Sequence, residues 1–315
     1  MSAPIVSVVL PVYNGEAFLR EAVDSILTQT LRELELLVVD DFSTDSSRRI
    51  AEDFAQRDER VKVITNAQGK GLVGALNTGL AAAAGTYIAR MDADDVSLPH
   101  RLQRQVDFME SHPRVGVCGA WFHIMGSETV IRHPEDHDDI KIRMLGHCSL
   151  THPAVMLRKS VLEKHQLRYD EAFREAAEDY HLWIRLAAVT ELANVPEILL
   201  EYRAHGAQAS QQTAQRLIAR SRQIRLMQAQ ALGLTLAPEE EGLYLSLVMA
   251  APPDRTHLPA ARKLVARILA AARTNGTYSV PKLQAFLERM LAQMPPAPPG
   301  PWRQLLTRLL QVLHG

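Results

Sequence analysis

Short apolar runs alternate with amphipathic segments through the first 125 residues. Each run has the length of a buried strand, and the apolar positions between runs recur every three or four residues, as on one face of a helix. We predict strands over residues 6–12, 34–39, 61–64, 87–91 and 115–122. Strands that alternate with helices are joined by right-handed crossovers, so the pattern predicts a mainly parallel sheet with helices on both faces.

Polar segments follow three of the predicted strands. Residues 11–15 end the first strand, Asp40 and Asp41 end the second, and residues 92–95 follow the fourth. The carboxyl ends of parallel strands share one edge of a sheet, and ligands of α/β proteins bind at that edge. We therefore expect the three segments to form one site.

Three carboxylates fall within four positions, at Asp92, Asp94 and Asp95. They repel one another when they are held at the end of a buried strand. A divalent cation with a phosphate-bearing ligand relieves this repulsion, because hard oxygen ligands suit Mg²⁺ and Mn²⁺. A solvated acidic turn is the alternative interpretation. The convergence of three segments favours the cation site.

The pattern changes after the fifth strand. Residues 124–202 are less regular, and the stretch 133–139, rich in His, Asp and Pro, is predicted to be a loop over the site. Helical periodicity returns near residue 213. The predicted domains are an α/β catalytic domain over 1–212, a helical region over 213–294, a proline-rich linker over 295–301 and an amphipathic helix over 302–315.

The apolar stripe of the last segment has two interpretations. Docking onto a membrane that carries a lipid-linked acceptor would give peripheral membrane contact. Packing on the domain or on a second subunit would make the stripe part of the core or of a homo-oligomer. We favour packing, because the two arginines beside the stripe, Arg303 and Arg308, are few for an interfacial anchor.

Composition narrows the class of protein. A chain of 315 residues with 47% hydrophobic and 23% charged residues is typical of a globular protein. The formal net charge of −1 gives no general attraction to nucleic acid. The two cysteines, Cys118 and Cys148, form neither a CxxC pair nor a dense disulfide framework, which indicates a reducing compartment. Because no secretory leader and no apolar run of about 20 residues is visible, we expect a cytoplasmic protein.

Several motifs together resemble a family of enzymes. The matching segments are residues 7–15, 25–30, 38–45, 85–95 and 178–186. In this combination the chain resembles a family 2 glycosyltransferase with the GT-A fold, a Rossmann-like, mainly parallel sheet that here carries an α-helical C-terminal extension. The resemblance implies that a sugar passes with inversion from a nucleotide-sugar donor, expected to be UDP-linked, to an acceptor hydroxyl.

The resemblance also implies a biological setting. Such enzymes build bacterial surface polysaccharides and glycoconjugates, and their acceptors are saccharides or lipid-linked saccharides. The chain lacks membrane spans and the Gln/Arg-x-x-Arg-Trp signature of processive synthases. Transfer of a single sugar is therefore the expectation.

The family's metal site falls on the acidic segment after the fourth strand. The resemblance implies that Asp94 and Asp95 are ligands of Mn²⁺ or Mg²⁺, with Asp92 as a further candidate; which carboxylate binds directly and which through water stays open. Asp94 is also assigned to the donor nucleotide, through the ribose. His205 matches a late histidine that reaches the metal or the diphosphate in many such enzymes, and a surface histidine is the alternative.

The donor base is assigned to residues after the first two strands. By resemblance, Pro11, Tyr13 and Asp41 bind the base, since a ring stacks on it and a carboxylate accepts from its N–H. Asp40 competes for the role of Asp41, which is otherwise a turn-forming residue. Lys70 has the reach to contact a diphosphate, but its glycine spacing is no phosphate-loop motif, and a flexible surface loop is the favoured interpretation.

An inverting displacement needs one general base to take the proton of the attacking hydroxyl. Asp179 occupies the base position of the family's Glu-Asp pair and is our candidate. Glu178 is assigned to orienting the acceptor, and Trp183 and His152 to the acceptor side. The pair is predicted in the first turn of a helix, where acidic residues also compensate the helix dipole, which is the alternative explanation.

Two other functions compete with sugar transfer. A nucleotidyltransferase would carry a glycine-rich loop with Arg or Lys after the first strand, whereas residues 12–16 here read Val-Tyr-Asn-Gly-Glu. A catalytically inactive nucleotide-sugar-binding module is the second alternative. The intact acidic cluster and Asp179 argue against it.

Overall fold

The computed structural model describes residues 3–204 and 214–296. The chain divides into two compact units, one formed by residues 1–140 and 149–220 and the other by residues 141–148 and 221–315. The divisions fall near residues 140 and 220, inside two helices, α5 (His137–Arg143) and α8 (Ala214–Ala231).

The predicted domain limits at 212 and 294 remain predictions. His205 and the amphipathic segment 302–315 lie outside the described residues, and so does the predicted linker 295–301 beyond its first two prolines.

A nine-stranded mixed sheet forms the first unit, and its order is β3-β2-β1-β4-β8-β6-β9-β5, with β7 paired to β6. The strands are β1 (Val6–Val12), β2 (Leu34–Asp40), β3 (Val61–Thr65), β4 (Tyr87–Arg90), β5 (Val96–Ser97), β6 (Val115–Ile124), β7 (Val130–Ile131), β8 (Met156–Arg158) and β9 (Glu191–Tyr202). The five predicted strands are confirmed, with ends shifted by a few residues at most. The parallel register pairs Val12 with Asp40 and Val9 with Arg90, so the ends of β1, β2 and β4 meet at one edge.

Helices cover both faces of this sheet. They are α1 (Leu19–Leu27), α2 (Ser47–Ala55), α3 (Leu72–Ala82), α4 (Arg101–Ser111), α6 (Lys159–Lys164) and α7 (Glu178–Leu186), besides α5. Alternate residues of β1, such as Val8 and Leu10, pack in one core cluster with residues of α1 and α4. Val9 points the other way, toward α3, where a Cβ on Gly79 would lie 2.3 Å from its Cγ1.

Residues 124–202 contain more regular structure than the sequence indicates. This stretch contains β7, β8 and β9 as well as α5, α6 and α7. The strand β9 escaped detection because Pro196 and three acidic residues interrupt its apolar pattern, and its pairing with β6 includes register shifts. Within the stretch 133–139, α5 begins at His137.

The second unit is helical. Its helices are the C-terminal part of α8 with α9 (Pro238–Val248), α10 (Leu258–Asn275) and α11 (Val280–Ala292). They share a hydrophobic core with Ile142 and Leu145 from the short segment 141–148. No helix in the described part of the chain combines the length and the hydropathy of a membrane span.

A close backbone approach places β4 beside β1. The N–H of Gly85 donates to Ser7 Oγ at 2.8 Å, and Ser7 Oγ donates to the buried Glu35 carboxylate. A Cβ on Gly85 would lie 2.6 Å from the backbone nitrogen of Ser7 and 2.9 Å from the carbonyl carbon of Val6. Backbone atoms inside a sheet cannot retreat, so this position requires glycine.

We expect Gly85→Ala to lower the free energy of unfolding by about 2 kcal/mol, because the added methyl overpacks the contact between β1 and the segment that enters β4. Urea denaturation followed by circular dichroism measures it. The matched control is Gly242→Ala in α9, where the added methyl meets nothing within 4 Å and helix propensity predicts a gain of roughly 0.5–1 kcal/mol. Equal stability of the Gly85 variant and the native chain would contradict the close approach.

Candidate active site

The three aspartates after β4 lie together, as the sequence predicts. One carboxylate oxygen from each of Asp92, Asp94 and Asp95 falls within 4.8 Å of the others. We call this group the acidic triad. Asp95 is buried, and the other two are partly exposed.

Asp95 is held by the end of β9. Its Oδ1 accepts a hydrogen bond of 2.8 Å from the backbone N–H of Arg203, and Arg203 Nε donates to the carbonyl of Asp94 at 2.8 Å. Arg203 also pairs with Glu21 and lies over the ring of Phe18, 4.6 Å from its centroid. Arg203, which follows β9, therefore holds the loop that carries the triad.

The second oxygen of Asp95 has a different environment. Among the described residues, Oδ2 is buried and has no hydrogen-bond partner. Burial, and then the neighbouring charge of Asp92, raise the pKa of Asp95 to about 8. A buried acceptor without a partner, beside two further carboxylates, fits a divalent cation, which would supply the missing positive charge.

Arg90, the last residue of β4, enters the site although we did not predict it. Its side chain is 3% exposed and forms an ion pair with Asp92. Burial raises the pKa of Asp92, and the Arg90 guanidinium opposes that shift. A single arginine inside an otherwise apolar run, two positions before the triad, was the signal in the sequence.

Glu178 and Asp179, here called the carboxyl pair, begin α7, as predicted. The residue before them, Ala177, has a left-handed φ of 61°. Asp179 Oδ1 accepts from the N–H of Tyr180 at 2.7 Å. Burial, and then the charge of Asp179, raise the pKa of Glu178 to about 8, and burial also raises the pKa of Asp179. Two adjacent carboxyl groups with limited contact to water compete for one proton.

A hydrogen-bonded group lies beside the carboxyl pair. His152 Nδ1 is 3.7 Å from a Glu178 oxygen, and His152 Nε2 is 2.8 Å from the hydroxyl of Tyr169. Trp183 is fully buried and meets His152 edge-on, with ring centroids 5.8 Å apart. Thus His152 lies beside Glu178, and Trp183 lies beside His152 inside the fold.

Tyr169 is a second residue that we did not predict. Its backbone is held on α3 by Asn77, which accepts from its N–H at 3.1 Å and donates to its carbonyl at 3.0 Å. This pairing joins positions 92 residues apart, so no local sequence pattern could reveal it.

The residues assigned to the donor base gather at the ends of β1 and β2. Pro11 is buried, whereas Tyr13 is 53% exposed and lies under the ammonium group of Lys70, 5.1 Å from the ring centroid. Asp41 accepts from the N–H of Gly71 at 2.9 Å and from the side chain of Asn66 at 2.6 Å.

These contacts separate the roles of the two neighbouring aspartates. The turn that precedes Ser43 is made by Asp40, whose Oδ1 accepts from the N–H of Ser43 at 3.1 Å. Asp41 instead ties down the loop that carries Lys70. A carboxylate has about four acceptor sites, so Asp41 retains capacity for a further donor.

A mainly parallel sheet with an acidic triad after its fourth strand is typical of glycosyltransferases of the GT-A fold. The chain belongs to glycosyl transferase family 2, whose family model matches residues 7–167. This membership sets aside the nucleotidyltransferase.

Named relatives agree with the family. The chain is 33% identical to an uncharacterized glycosyltransferase of Haemophilus influenzae over 221 residues, which cover 66% of this chain and 68% of that protein. It is 30% identical over 182 residues to UDP-Glc:alpha-D-GlcNAc-diphosphoundecaprenol beta-1,3-glucosyltransferase WfgD of Escherichia coli, with 58% and 69% covered.

Solved structures share the fold. S. aureus TarS 1-349 in complex with UDP-GlcNAc superposes with a TM-score of 0.60 at 18% identity, over 91% of this chain and 88% of that one. The mannosyltransferase PcManGT of Pyrobaculum calidifontis, in complex with GDP-Man and Mn²⁺, gives 0.56 at 20% identity, over 93% and 87%.

The raised pKa of Asp95 predicts how pH affects the metal-free protein. Between its ordinary value of 3.8 and about 8, the folded chain holds a proton that the unfolded chain lacks. The resulting stability is complete below the lower value and is lost as pH rises through the higher one. In EDTA, we expect the melting temperature of the native chain to fall between pH 5 and 9 more steeply than that of Asp95→Asn.

The matched control for that measurement is Asp107→Asn on the exposed side of α4, which should follow the native chain. Identical slopes for the native chain and the Asp95 variant would contradict a proton held at Asp95.

Proposed function

We propose that this protein transfers a single sugar, with inversion, from a UDP-sugar to a hydroxyl of a saccharide or lipid-linked saccharide acceptor. The observation that carries the proposal is the acidic triad with the unpartnered buried oxygen of Asp95. The setting we propose is bacterial surface polysaccharide or glycoconjugate synthesis in the cytoplasm, with peripheral membrane contact where the acceptor is lipid-linked.

Donor binding is proposed at the ends of β1 and β2. The exposed ring of Tyr13 offers a stacking surface for the base, and Asp41 offers an acceptor for a ring N–H. Lys70, beside Tyr13, places a positive charge where a diphosphate follows the ribose. A carboxylate can accept from the ring N–H of uracil or of guanine. TarS was solved with UDP-GlcNAc and PcManGT with GDP-Man, so the test below compares both bases.

Charge compensation is proposed at the acidic triad. Asp92, Asp94 and Asp95 would hold Mn²⁺ or Mg²⁺, which when bound stabilises the negative charge on the departing diphosphate. The contacts from Arg203 to Asp94 and Asp95 keep the loop in one conformation. Such preorganisation avoids the cost of rearranging the ligands during the reaction.

Proton transfer is proposed at the carboxyl pair. The acceptor oxygen forms a bond to the anomeric carbon as the sugar–phosphate bond breaks, and the electron pair of that bond leaves with UDP. The carboxylate of Asp179 takes the hydroxyl proton. Its raised pKa makes it a stronger base than an exposed aspartate, and Glu178, beside His152, is proposed to orient the acceptor.

A panel of nucleotides tests the donor and the cation together. We expect UDP or a UDP-sugar to raise the melting temperature in the presence of Mn²⁺ and much less in EDTA, with GDP and GDP-mannose weaker. Asp95→Ala should abolish the Mn²⁺-dependent part of the shift. A response to GDP-mannose alone would move the donor to the guanine class, and no response to any nucleotide would overturn the proposal.

We expect Asp179→Asn to lower the rate of sugar transfer by on the order of 10²–10⁴, because the amide cannot take a proton. Binding of UDP with Mn²⁺, measured by calorimetry, should stay within a few-fold of the native value. The control is Glu171→Gln, an exposed carboxyl near the same helix, which should transfer normally. Normal turnover in the Asp179 variant would remove this residue from the mechanism.

A further inference from the structure

Trp121 is an aromatic residue at the active edge of the sheet that has no role in the proposed function so far. It lies in the second half of β6. This strand runs antiparallel to β8, which in turn runs antiparallel to β4. β6 is therefore parallel to β4, and its carboxyl end lies at the same edge of the sheet as the acidic triad, where ligands of such sheets bind.

The ring of Trp121 points to the face of the sheet away from α1 and α4. Successive side chains of a strand alternate between faces, and its neighbours Ala120 and Phe122 pack in the core cluster formed with α1 and α4. On the opposite face, the indole N–H of Trp121 donates to the carbonyl of His133 at 3.1 Å. The ring is partly exposed, whereas the other described tryptophan, Trp183, is fully buried.

The segment after β7 is held against β6 and β9 beside this ring. The carbonyl of His133 accepts from Trp121, and the next two carbonyls accept from Asn194 of β9. The Asn194 side chain donates to Pro134 at 2.7 Å, and its backbone N–H donates to Glu135 at 3.1 Å. The segment thus forms a preorganised wall beside the indole, so a ligand that binds there does not have to order it.

Contacts continue from Trp121 to the carboxyl pair. His133 Nε2 lies 2.7 Å from Thr151 Oγ1. Thr151 directly precedes His152, whose Nδ1 is 3.7 Å from an oxygen of Glu178. Because two histidine side chains lie between Trp121 and the carboxyl pair, the ring is placed for a part of the acceptor other than the sugar that carries the reacting hydroxyl.

Arg132 adds hydrogen-bond donors to the same place. Its side chain is exposed, and its guanidinium carbon lies over the Trp121 ring, 5.4 Å from the centroid. In the part of the chain that the structure describes, no carboxylate pairs with it. A cation–π contact at an exposed site is weak. A sugar that packs on the ring therefore displaces the guanidinium at small cost, and its planar N–H groups can then donate to sugar hydroxyls.

We propose that Trp121 and Arg132 form a binding subsite for a pyranose unit of the acceptor, next to the sugar that carries the reacting hydroxyl. The apolar C–H face of the pyranose packs on the indole, and Arg132 donates to its hydroxyl groups. We call this pair the Trp121 subsite. The inference rests on the proposed function, because it requires that the neighbouring sugar reach Asp179. It implies an acceptor of at least two sugars.

The test measures saccharide binding by saturation-transfer-difference NMR in the presence of UDP and Mn²⁺. The probes are the methyl glycosides of glucose, galactose and N-acetylglucosamine, and the disaccharides cellobiose, lactose and diacetylchitobiose. We expect at least one disaccharide to bind about 10-fold more tightly than the matching methyl glycoside, because only the disaccharide reaches the aromatic ring.

Two variants of Trp121 isolate the ring. Trp121→Leu and Trp121→Phe both lose the hydrogen bond to His133 and both stay apolar, so they differ mainly in the flat aromatic face. The leucine variant should lose the advantage of the disaccharide while it binds the methyl glycoside as the native chain does. The phenylalanine variant should retain most of the advantage. UDP affinity with Mn²⁺, measured by calorimetry, should stay within a few-fold of native in both.

Arg132→Gln tests the second half of the subsite at an exposed position, where folding is not at risk. We expect the disaccharide to bind a few-fold more weakly at an unchanged melting temperature. The matched control is Arg114→Gln. Arg114 is exposed at the opposite end of β6, where it pairs with Glu191, and its loss should leave saccharide binding native.

The outcomes separate this inference from the proposed function. A native chain that binds UDP with Mn²⁺ but gains nothing from a second sugar overturns the Trp121 subsite alone. So does a folded leucine variant with native disaccharide affinity, or a phenylalanine variant no better than leucine. If neither Trp121 variant folds, native disaccharide affinity in Arg132→Gln overturns the subsite. A native chain that binds no nucleotide overturns the proposed function and this inference with it.

Discussion

The concentration of negative charge at one edge of the sheet is the constraint on which the site depends. The acidic triad and the carboxyl pair place five carboxyl groups near the end of β4 and the start of α7. Burial, and then the neighbouring charges, raise the pKa values of Asp95 and Glu178 to about 8. Burial makes mutual repulsion stronger than it would be in water. The contacts around these carboxyl groups each reduce this repulsion in part.

Three kinds of interaction reduce the repulsion. Arg203 supplies a backbone N–H to Asp95, and Arg90 supplies a full charge to Asp92. In the metal-free protein, protonation of Asp95 and Glu178 reduces the remaining negative charge. The same imbalance gives a divalent cation a strong reason to bind, so the cost of assembling the site and its affinity for a cation have one origin.

The sequence predicted the parallel part of the fold because β1 and β2 are buried along their whole length, and such strands appear as unbroken apolar runs. It did not predict β8 or β9. The three residues of β8 are too few to show a period, and Pro196 breaks the pattern of β9. These strands form because they pair with β4 and β6, and their own residues carry no clear strand pattern.

The site divides in a similar way. Residues that share one segment, such as the acidic triad or the carboxyl pair, could be found from local motifs. Arg203 and Tyr169 could not, because their contacts with Asp95 and Asn77 span 108 and 92 residues. A turn-forming role was also one alternative for Asp41, and only the hydrogen bond from the N–H of Ser43 to the Asp40 side chain assigns that role to Asp40.

The path of the chain between the two compact units has a practical consequence. The backbone crosses from one unit to the other three times, near residues 140, 148 and 220. A shortened protein that stops at residue 212 would still contain Ile142 and Leu145, but it would lack the helices that bury them. Two apolar side chains would then face water, so trimming the C-terminus alone is a poor route to a minimal enzyme; residues 141–148 must be redesigned in the same step.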